Sequence, residues 1–291
     1  MLYKYVPYDR RDVLENGLLR FTQPGDFNDP FELHPSFDLM SKADIAQLPE
    51  APGQEGQTEP KARLLTPEAL QSMMQTLMPG IQRTIAATVQ GEGAYSLNNN
   101  QIAKSIFDSK IGILSLTEAP DDLLMWAHYA DSHRGFAIQF DERHDFFAPK
   151  AFEDQTFSLT KVEYTNERPV RSYSTLNSPI VFYRKSTAWA YECEWRLLRP
   201  LADASRVIDH EVYPRALFTI PFTAIRGIVI GVAVSHERRT TLGDLMSKPQ
   251  LSHIKIFQAR LSDNHYFLEI HPPIDGSIHP DALSGRICEA R

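Results

Sequence analysis

Cysteine is scarce in this chain. It has two cysteines, Cys193 and Cys288, and neither has a partner at the spacing of a CxxC motif. A disulfide framework and a cysteine-based zinc site are therefore not indicated, and a reducing cytoplasm is the expected setting. No stretch approaches the ~18 apolar residues that a membrane-spanning helix needs. The charged run Asp9, Arg10 and Arg11 comes before any apolar signal segment could form, so we expect no leader and no membrane partner.

Positive charge is also in deficit. The chain carries 30 basic and 37 acidic residues, which gives a formal net charge of −7. This balance argues against a large electrostatic surface for nucleic acid, although a local basic patch stays open. The motifs GxGxxG, GxxxxGK[ST], HExxH and GxSxG are all absent. The familiar dehydrogenase, phosphate-loop, zinc-protease and hydrolase interpretations therefore lose most of their support.

The hydrophobic pattern predicts an α+β fold. Short strands are predicted at 2–6, 111–117 and 135–141 from their apolar runs and alternation. A strand at 227–232, a helix at 237–246 and a strand at 254–261 together predict a crossover unit. Between 70 and 89, apolar residues recur at spacings of three and four, which is typical of helices. We predict one domain over 1–291, with a mixed, mainly antiparallel β core and a helical, variable insertion at about 41–110.

The most informative segment is YECEWRLL at 191–198, which is predicted to be a strand. Side chains alternate between the faces of a strand, so Glu192, Glu194 and Arg196 would share one face above an apolar underside. Such a face can do acid–base work, orient a sugar hydroxyl or hold a cation. An ordinary solvated sheet face fits the same pattern. We take these three residues as the catalytic candidates.

Lys185 and Trp189, which precede this segment, belong to the same candidate site. Lys185 precedes the first glutamate by seven residues, and Trp189 lies between them. An ammonium group close to the two carboxylates would keep them ionised at neutral pH. A surface lysine at the end of a helix is the alternative. Lys185 and Trp189 are included as substrate-binding candidates.

A second patch combines a polar strand end with an aromatic helix. SLTE at 115–118 is followed by a predicted helix that Asp121 or Asp122 would cap and that contains MWAHY, and then by HRG. This arrangement could form a stacking wall with polar anchors for a flat ligand, or a helix that is buried by its own aromatic residues. The two histidines are five residues apart, which does not place two metal ligands on one helical face, so no metal ligand is assigned. The substrate-binding candidates of this patch are Ser115, Thr117, Trp126, His128, Tyr129 and His133.

Two N-terminal segments complete the candidate set. FNDPFE at 27–32 is dense in turn-forming residues, and Asn and Asp before a proline usually make turns. In a functional interpretation, Asn28 and Asp29 would fix a loop beside a cleft. The opening strand contributes Tyr3 and Lys4.

Four separated motifs occur in a specific order: LYKY, FNDPFE, SLTE with MWAHYADSHRG, and RKSTAWAYECEWRLL. On these motifs the chain resembles, over roughly 2–270, an uncharacterised bacterial family known as domain of unknown function 2971. That resemblance implies no particular activity.

Two of the motifs are also similar to those of ADP-ribosyltransferases, which combine a Ser-x-Ser or Ser-x-Thr strand with a later Glu-x-Glu strand. The resemblance implies that Glu194 binds the nicotinamide ribose of NAD and stabilises oxocarbenium character. It implies that Glu192 assists the acceptor nucleophile and that Tyr129 or Trp126 stacks on nicotinamide. An N-terminal strand of such enzymes supplies an Arg or His, and this chain has Lys4 there.

Three functions therefore remain open. The first is an ADP-ribosyltransferase-like enzyme that uses NAD or a related nucleotide as co-substrate, with a protein or nucleic-acid acceptor that the sequence does not identify. The second is a hydrolase or nuclease in which Glu192, Glu194, Asp29 or Glu32 holds a divalent cation. The third is a non-catalytic binding module in stress response or phage defence.

Overall fold

A computed structural model describes residues 1–29, 31, 36–37, 107–152, 155–167, 170–171, 182–210 and 213–272. The chain divides into two compact units. The first comprises Met1–Asn28, Asp108–Asn166 and Phe182–Arg291, and the second comprises Asp29–Phe107 and Glu167–Val181. The insertion predicted at about 41–110 lies outside the described residues except for 107–110, which are helical.

The first unit is built on an eight-stranded sheet. Its strands are β1 (Leu2–Val6), β4 (Ile111–Thr117), β5 (Phe136–Phe140), β8 (Thr160–Lys161), β12 (Glu194–Pro200), β15 (Ile225–Ile230), β16 (Lys255–Leu261) and β17 (Leu268–His271). Across the sheet they follow the order β17-β16-β15-β5-β1-β4-β12-β8. Neighbouring strands are antiparallel, apart from the parallel pair β15 and β16. The predicted mixed, mainly antiparallel α+β core is confirmed.

The structure also contains smaller sheets. Their strands are β2 (Leu18–Phe21), β3 (Ser36–Phe37), β6 (Lys150–Phe152), β7 (Gln155–Phe157), β9 (Glu163–Tyr164), β10 (Val170–Arg171), β11 (Arg184–Lys185), β13 (Arg206–Ile208) and β14 (Arg215–Thr219). A three-stranded sheet has the order β13-β14-β2, while β6 pairs with β7 and β9 pairs with β11. In the second unit, β3 pairs in parallel with β10.

The first unit also carries the α-helices α1 (Asp12–Asn16), α2 (Leu123–Tyr129) and α3 (His236–Met246). Helix α2 starts where it was predicted to start, because the side chain of Asp122 accepts a hydrogen bond from the Met125 amide at 2.9 Å. Helix α3 joins the parallel strands β15 and β16, so the predicted crossover is present. A 3₁₀ turn, Tyr8–Arg11, begins after Pro7 and leads into α1.

Strand β1 is covered on both faces. Leu2 and Val6 belong to one hydrophobic cluster, and Tyr3 and Tyr5 belong to another. Helix α2 packs on the second cluster through Trp126, whose ring meets Tyr5 edge-on at a centroid distance of 4.9 Å. This packing fixes the helix over the strand and so sets the position of the residues that follow along α2. No helix in the described part of the chain is long and apolar enough to cross a membrane.

The predicted continuous strand at 191–198 is partly wrong. Glu192 ends a 3₁₀ helix, Thr187–Glu192, and β12 begins only at Glu194. Cys193 between them has φ 43, in the left-handed region, and its amide donates to the Ala190 carbonyl. This backbone turn ends the alternation that placed Glu192 on the strand. Strand β11 precedes this 3₁₀ helix.

Candidate functional site

Four buried charged side chains form one cluster at the start of β12. Glu194 receives two hydrogen bonds of 2.8 Å from Arg196, one from Nε and one from a terminal nitrogen. Lys185 Nζ lies 2.5 Å from Glu192 Oε2 and 3.4 Å from Glu194 Oε2. All four residues are at most 6% exposed. The face predicted from the alternation of Glu194 and Arg196 is therefore a buried ion-pair network rather than a solvated surface.

The charged groups of this cluster shift one another's pKa values. Burial alone would lower the pKa of Lys185, but Glu194 and Glu192 outweigh it and raise that pKa above its usual value. Burial raises the pKa of Glu194, and Lys185 opposes that rise. The Ser115 hydroxyl also opposes it, although it makes no well-aligned hydrogen bond there. The bidentate contact with Arg196 favours the ionised carboxylate of Glu194.

Tyr129 extends the cluster toward helix α2. Its hydroxyl donates to Glu192 Oε1 at 2.6 Å and accepts a hydrogen bond from Asn28 Nδ2 at 3.3 Å. Burial and the neighbouring carboxylate of Glu192 raise the pKa of Tyr129 above its usual value. The phenol therefore stays protonated at neutral pH and acts as a hydrogen-bond donor. The sequence candidates Asn28, Tyr129 and Glu192 thus form one chain of contacts.

The neighbouring strands β1 and β4 carry the other polar groups. Lys4 Nζ donates to the backbone carbonyl of Ser115 at 3.0 Å. Desolvation by burial lowers the pKa of Lys4 to about 8. Thr117 lies directly opposite Glu194 in the antiparallel pair of β4 and β12, and Ser115 lies opposite Arg196. The three adjacent strands β1, β4 and β12 therefore each contribute polar groups to the surroundings of Glu194.

These groups line a cavity of about 400 Å³ in the first unit. That volume lies within the range of about 300–1,000 Å³ that is common for small-molecule sites. Ten of the predicted residues are among those that line it: Tyr3, Lys4, Asn28, Ser115, Thr117, His128, Tyr129, Lys185, Glu192 and Glu194.

One segment of the chain matches a known family model. Residues 125–197 match the model described as a protein of unknown function, DUF2971. The resemblance predicted from the sequence is confirmed for this segment. No curated protein and no solved structure matches the chain significantly. The matched DUF2971 segment holds most of α2, from Met125 onward, and the first residues of β12, and hence Tyr129, Lys185, Glu192 and Glu194 of the cavity wall.

Other predicted residues of the DUF2971 segment lie apart from the cavity lining. Trp126 is fully buried in the core, where its indole nitrogen donates to the Pro120 carbonyl at 2.9 Å. The ring of His133 stacks on Trp126 at 6.4 Å, and burial lowers the pKa of this imidazole. Trp189 supports the cluster from outside the lining, since Lys185 Nζ lies 4.9 Å from its ring centroid.

The two remaining candidates, Arg196 and Asp29, do not line the cavity. Arg196 pairs with Glu194 and donates to the Phe182 carbonyl at 2.7 Å. Asp29 belongs to the second unit, where its carboxylate accepts a hydrogen bond from the Phe31 amide at 2.9 Å. This contact is the turn chemistry that an Asp before a proline favours.

Several residues of the site were not predicted from the sequence, among them Tyr164 and Phe27, which contact its charged residues. The hydroxyl of Tyr164 accepts a hydrogen bond from the Glu194 amide at 2.8 Å, and burial raises the pKa of this phenol. Phe27 lines the cavity, and its ring lies 5.3 Å from the guanidinium carbon of Arg196. Phe27 stands in the FNDPFE motif, so its proximity to that turn was the available signal. Tyr164 lies in a two-residue strand that gave no functional signal.

Proposed function

We propose that this cavity binds NAD or a related nucleotide and that the protein is an ADP-ribosyltransferase-like enzyme. One observation carries the proposal. The neighbouring strands β1, β4 and β12 bring Lys4, the pair Ser115 and Thr117, and Glu194 to one cavity. These are the three elements that the resemblance implies, in the same order along the chain. The departure is that a lysine stands where the resemblance implies an arginine or histidine.

The chemistry of the cluster fits cleavage of an N-glycosidic bond. As the bond between ribose C1′ and the nicotinamide nitrogen breaks, nicotinamide leaves with the bonding electrons and positive charge builds on the ribose. A fixed carboxylate such as Glu194 stabilises that charge. The acceptor, or water, then bonds to C1′, and its proton passes to the Glu192 carboxylate. Each carboxylate oxygen has two lone pairs, so the contacts to Arg196 and Lys185 leave acceptor capacity for a ribose hydroxyl.

The cavity also offers groups for the rest of such a ligand. Tyr129 and Phe27 contribute aromatic surface on which a nicotinamide ring could stack. Trp126, the other aromatic residue of α2 considered for that role, is committed to the core. Lys4 supplies a positive charge for a phosphate.

The divalent-metal alternative has less support. Within the ranges that the structure describes, no three His, Cys, Asp or Glu side chains come together as metal ligands. Glu192 and Glu194 are already neutralised by Lys185 and Arg196. The third alternative, a binding module without catalysis, would use the same cavity. Measuring turnover distinguishes this alternative from an enzyme.

The test is NAD binding by calorimetry together with nicotinamide release. We expect Glu194→Gln to lower the rate of release by ~100-fold or more, because it removes a charge aimed at the developing cation. Glu163→Gln is the matched control, since Glu163 is 61% exposed and pairs with Arg184 outside the cavity. Circular dichroism must show that both variants are folded.

Each outcome has a distinct meaning. Release that Glu194→Gln abolishes and Glu163→Gln preserves supports the transferase hypothesis. NAD binding without release by the wild type supports the binding module instead. If the wild type neither binds NAD nor releases nicotinamide, the proposal is wrong.

The pKa of Lys4 gives a second prediction. Burial lowers it to about 8, so the ammonium is present below that pH and is lost above it. We expect the affinity for NAD to fall about tenfold as the pH rises through about 8, which corresponds to one charge-assisted hydrogen bond of about 1.5 kcal/mol. The pyrophosphate of NAD does not titrate in this range. Calorimetry across the pH series measures the change.

The control for this prediction is Lys4→Arg. Arginine stays charged throughout the range and restores the residue type that the resemblance implies. Its affinity profile should be flat through pH 8. An equal fall in the wild type and in Lys4→Arg would show that another group causes the pH dependence.

A further inference from the structure

A second cavity lies in the first unit, around Arg199 of β12. Its volume is about 340 Å³, and it shares no lining residue with the first cavity. Its lining combines aromatic rings, hydroxyl groups and charged side chains. Neither the proposed reaction nor the motifs of the sequence account for it.

Arg199 is the unusual group of this cavity. Its residue is only 7% exposed. The guanidinium donates three hydrogen bonds, all to backbone carbonyls: to Leu198 at 3.0 Å, to Phe146 at 3.1 Å and to Ala148 at 2.9 Å. Carbonyl groups satisfy N–H donors but carry no net charge. An arginine has five N–H donors, so these bonds leave donors for a ligand.

No carboxylate within the described ranges forms an ion pair with Arg199. Asp203 also lines the cavity, but its carboxylate is bonded to Lys150 Nζ at 2.6 Å. Buried charges in proteins are usually paired, because removing an ion from water without a counter-ion is costly. Arg199 is therefore a buried cation beside an open space, without a bonded counter-charge.

Another part of the cavity lining is aromatic. The rings of Phe21 and Phe218 lie 4.3 Å apart, and those of Phe21 and Phe146 lie 6.5 Å apart edge-on. Ser205 and Thr219 add hydroxyl groups that are bonded to each other at 2.8 Å. An apolar or aromatic body fits such a wall.

We infer that this cavity binds a small organic anion, in which a carboxylate or phosphate group meets Arg199 and an aromatic body packs against Phe146 and Phe218. The lining contains two basic residues, Arg199 and Lys150, and two acidic residues, Asp145 and Asp203. Because these charges balance, the cavity suits a ligand with a single anionic group rather than a polyanion.

The test uses saturation-transfer difference NMR with three probes: benzoate, phenyl phosphate and the uncharged benzamide. We expect the wild type to bind at least one of the anions ~10-fold more tightly than benzamide, as a charge-assisted contact implies. Tighter binding of benzoate identifies carboxylate chemistry, and tighter binding of phenyl phosphate identifies phosphate chemistry. No preference for either anion over benzamide would overturn the inference.

Three variants assign the preference to this cavity. Arg199→Met should remove it, while Arg184→Met, which changes an arginine outside the lining, should leave it unchanged. Because Arg199 also holds the backbone at 146–148, Asp145→Asn gives a second readout at an exposed position. Removing that negative charge should tighten anion binding ~3-fold and leave benzamide unaffected. Anion binding that neither Arg199→Met nor Asp145→Asn changes would show that the probes bind elsewhere.

Discussion

Replacing Arg196 by methionine is expected to lower the free energy of unfolding by about 3–5 kcal/mol, the usual cost of removing one partner from a buried ion pair. Arg196 is fully buried and bonds to Glu194 through two nitrogens and to the Phe182 carbonyl. Without it, Glu194 keeps the longer contact to Lys185, at 3.4 Å. Urea denaturation followed by circular dichroism measures the change.

Two comparisons separate the buried pair from a general effect of losing an arginine. Arg184→Met breaks the pair with Glu163, whose carboxylate is 61% exposed, and should cost about 0–1 kcal/mol. The double variant Glu194→Gln/Arg196→Met removes both charges and should be more stable than Arg196→Met alone. A double variant that is as unstable as the sum of its parts would mean that the pair adds no coupling energy.

The sequence was sufficient to predict the parts of this site that follow local rules. Glu194 and Arg196 share a face because side chains two apart on a strand do so. Asp122 caps α2 because its side chain can accept the orphan amide of Met125. The parallel pair β15 and β16 followed from the strand, helix, strand order. The first two of these features depend on neighbouring residues alone, and the third depends on the order of consecutive elements.

The rest of the site depends on tertiary contacts. Glu192 lies outside the strand that was predicted to contain it, because Cys193 adopts a left-handed conformation. Position 193 holds neither a glycine nor an asparagine, the residues that would have indicated such a conformation. Yet Lys185 binds both Glu192 and Glu194 across the turn. Helix α2 likewise offered two aromatic residues, and only packing against Tyr5 decides that Trp126 enters the core. Nothing in the sequence distinguished Arg199 as a buried cation.

A second large effect is expected at Gly135, which follows an unusual turn. Asp131, Ser132 and His133 all have positive φ, and Gly135 then starts the return into β5. A Cβ atom on Gly135 would lie 2.2 Å from the Val6 carbonyl oxygen and 3.0 Å from the Ala130 carbonyl oxygen. Because these are backbone atoms, no side chain can rotate away. We expect Gly135→Ala to cost at least about 3 kcal/mol of unfolding free energy in urea denaturation.

The matched control is Gly243→Ala, because a Cβ there would meet no atom within 4 Å on helix α3. Alanine is the better helix former, so this change should add about 0.5–1 kcal/mol to the free energy of unfolding. The Gly135→Ala variant is also expected to affect the first cavity. Gly135 bonds to the carbonyl of Ala130, the residue after Tyr129, so a displaced turn should also weaken NAD binding if the proposed site is correct. Equal stability of the two variants would mean that the turn yields easily and does not fix the end of α2.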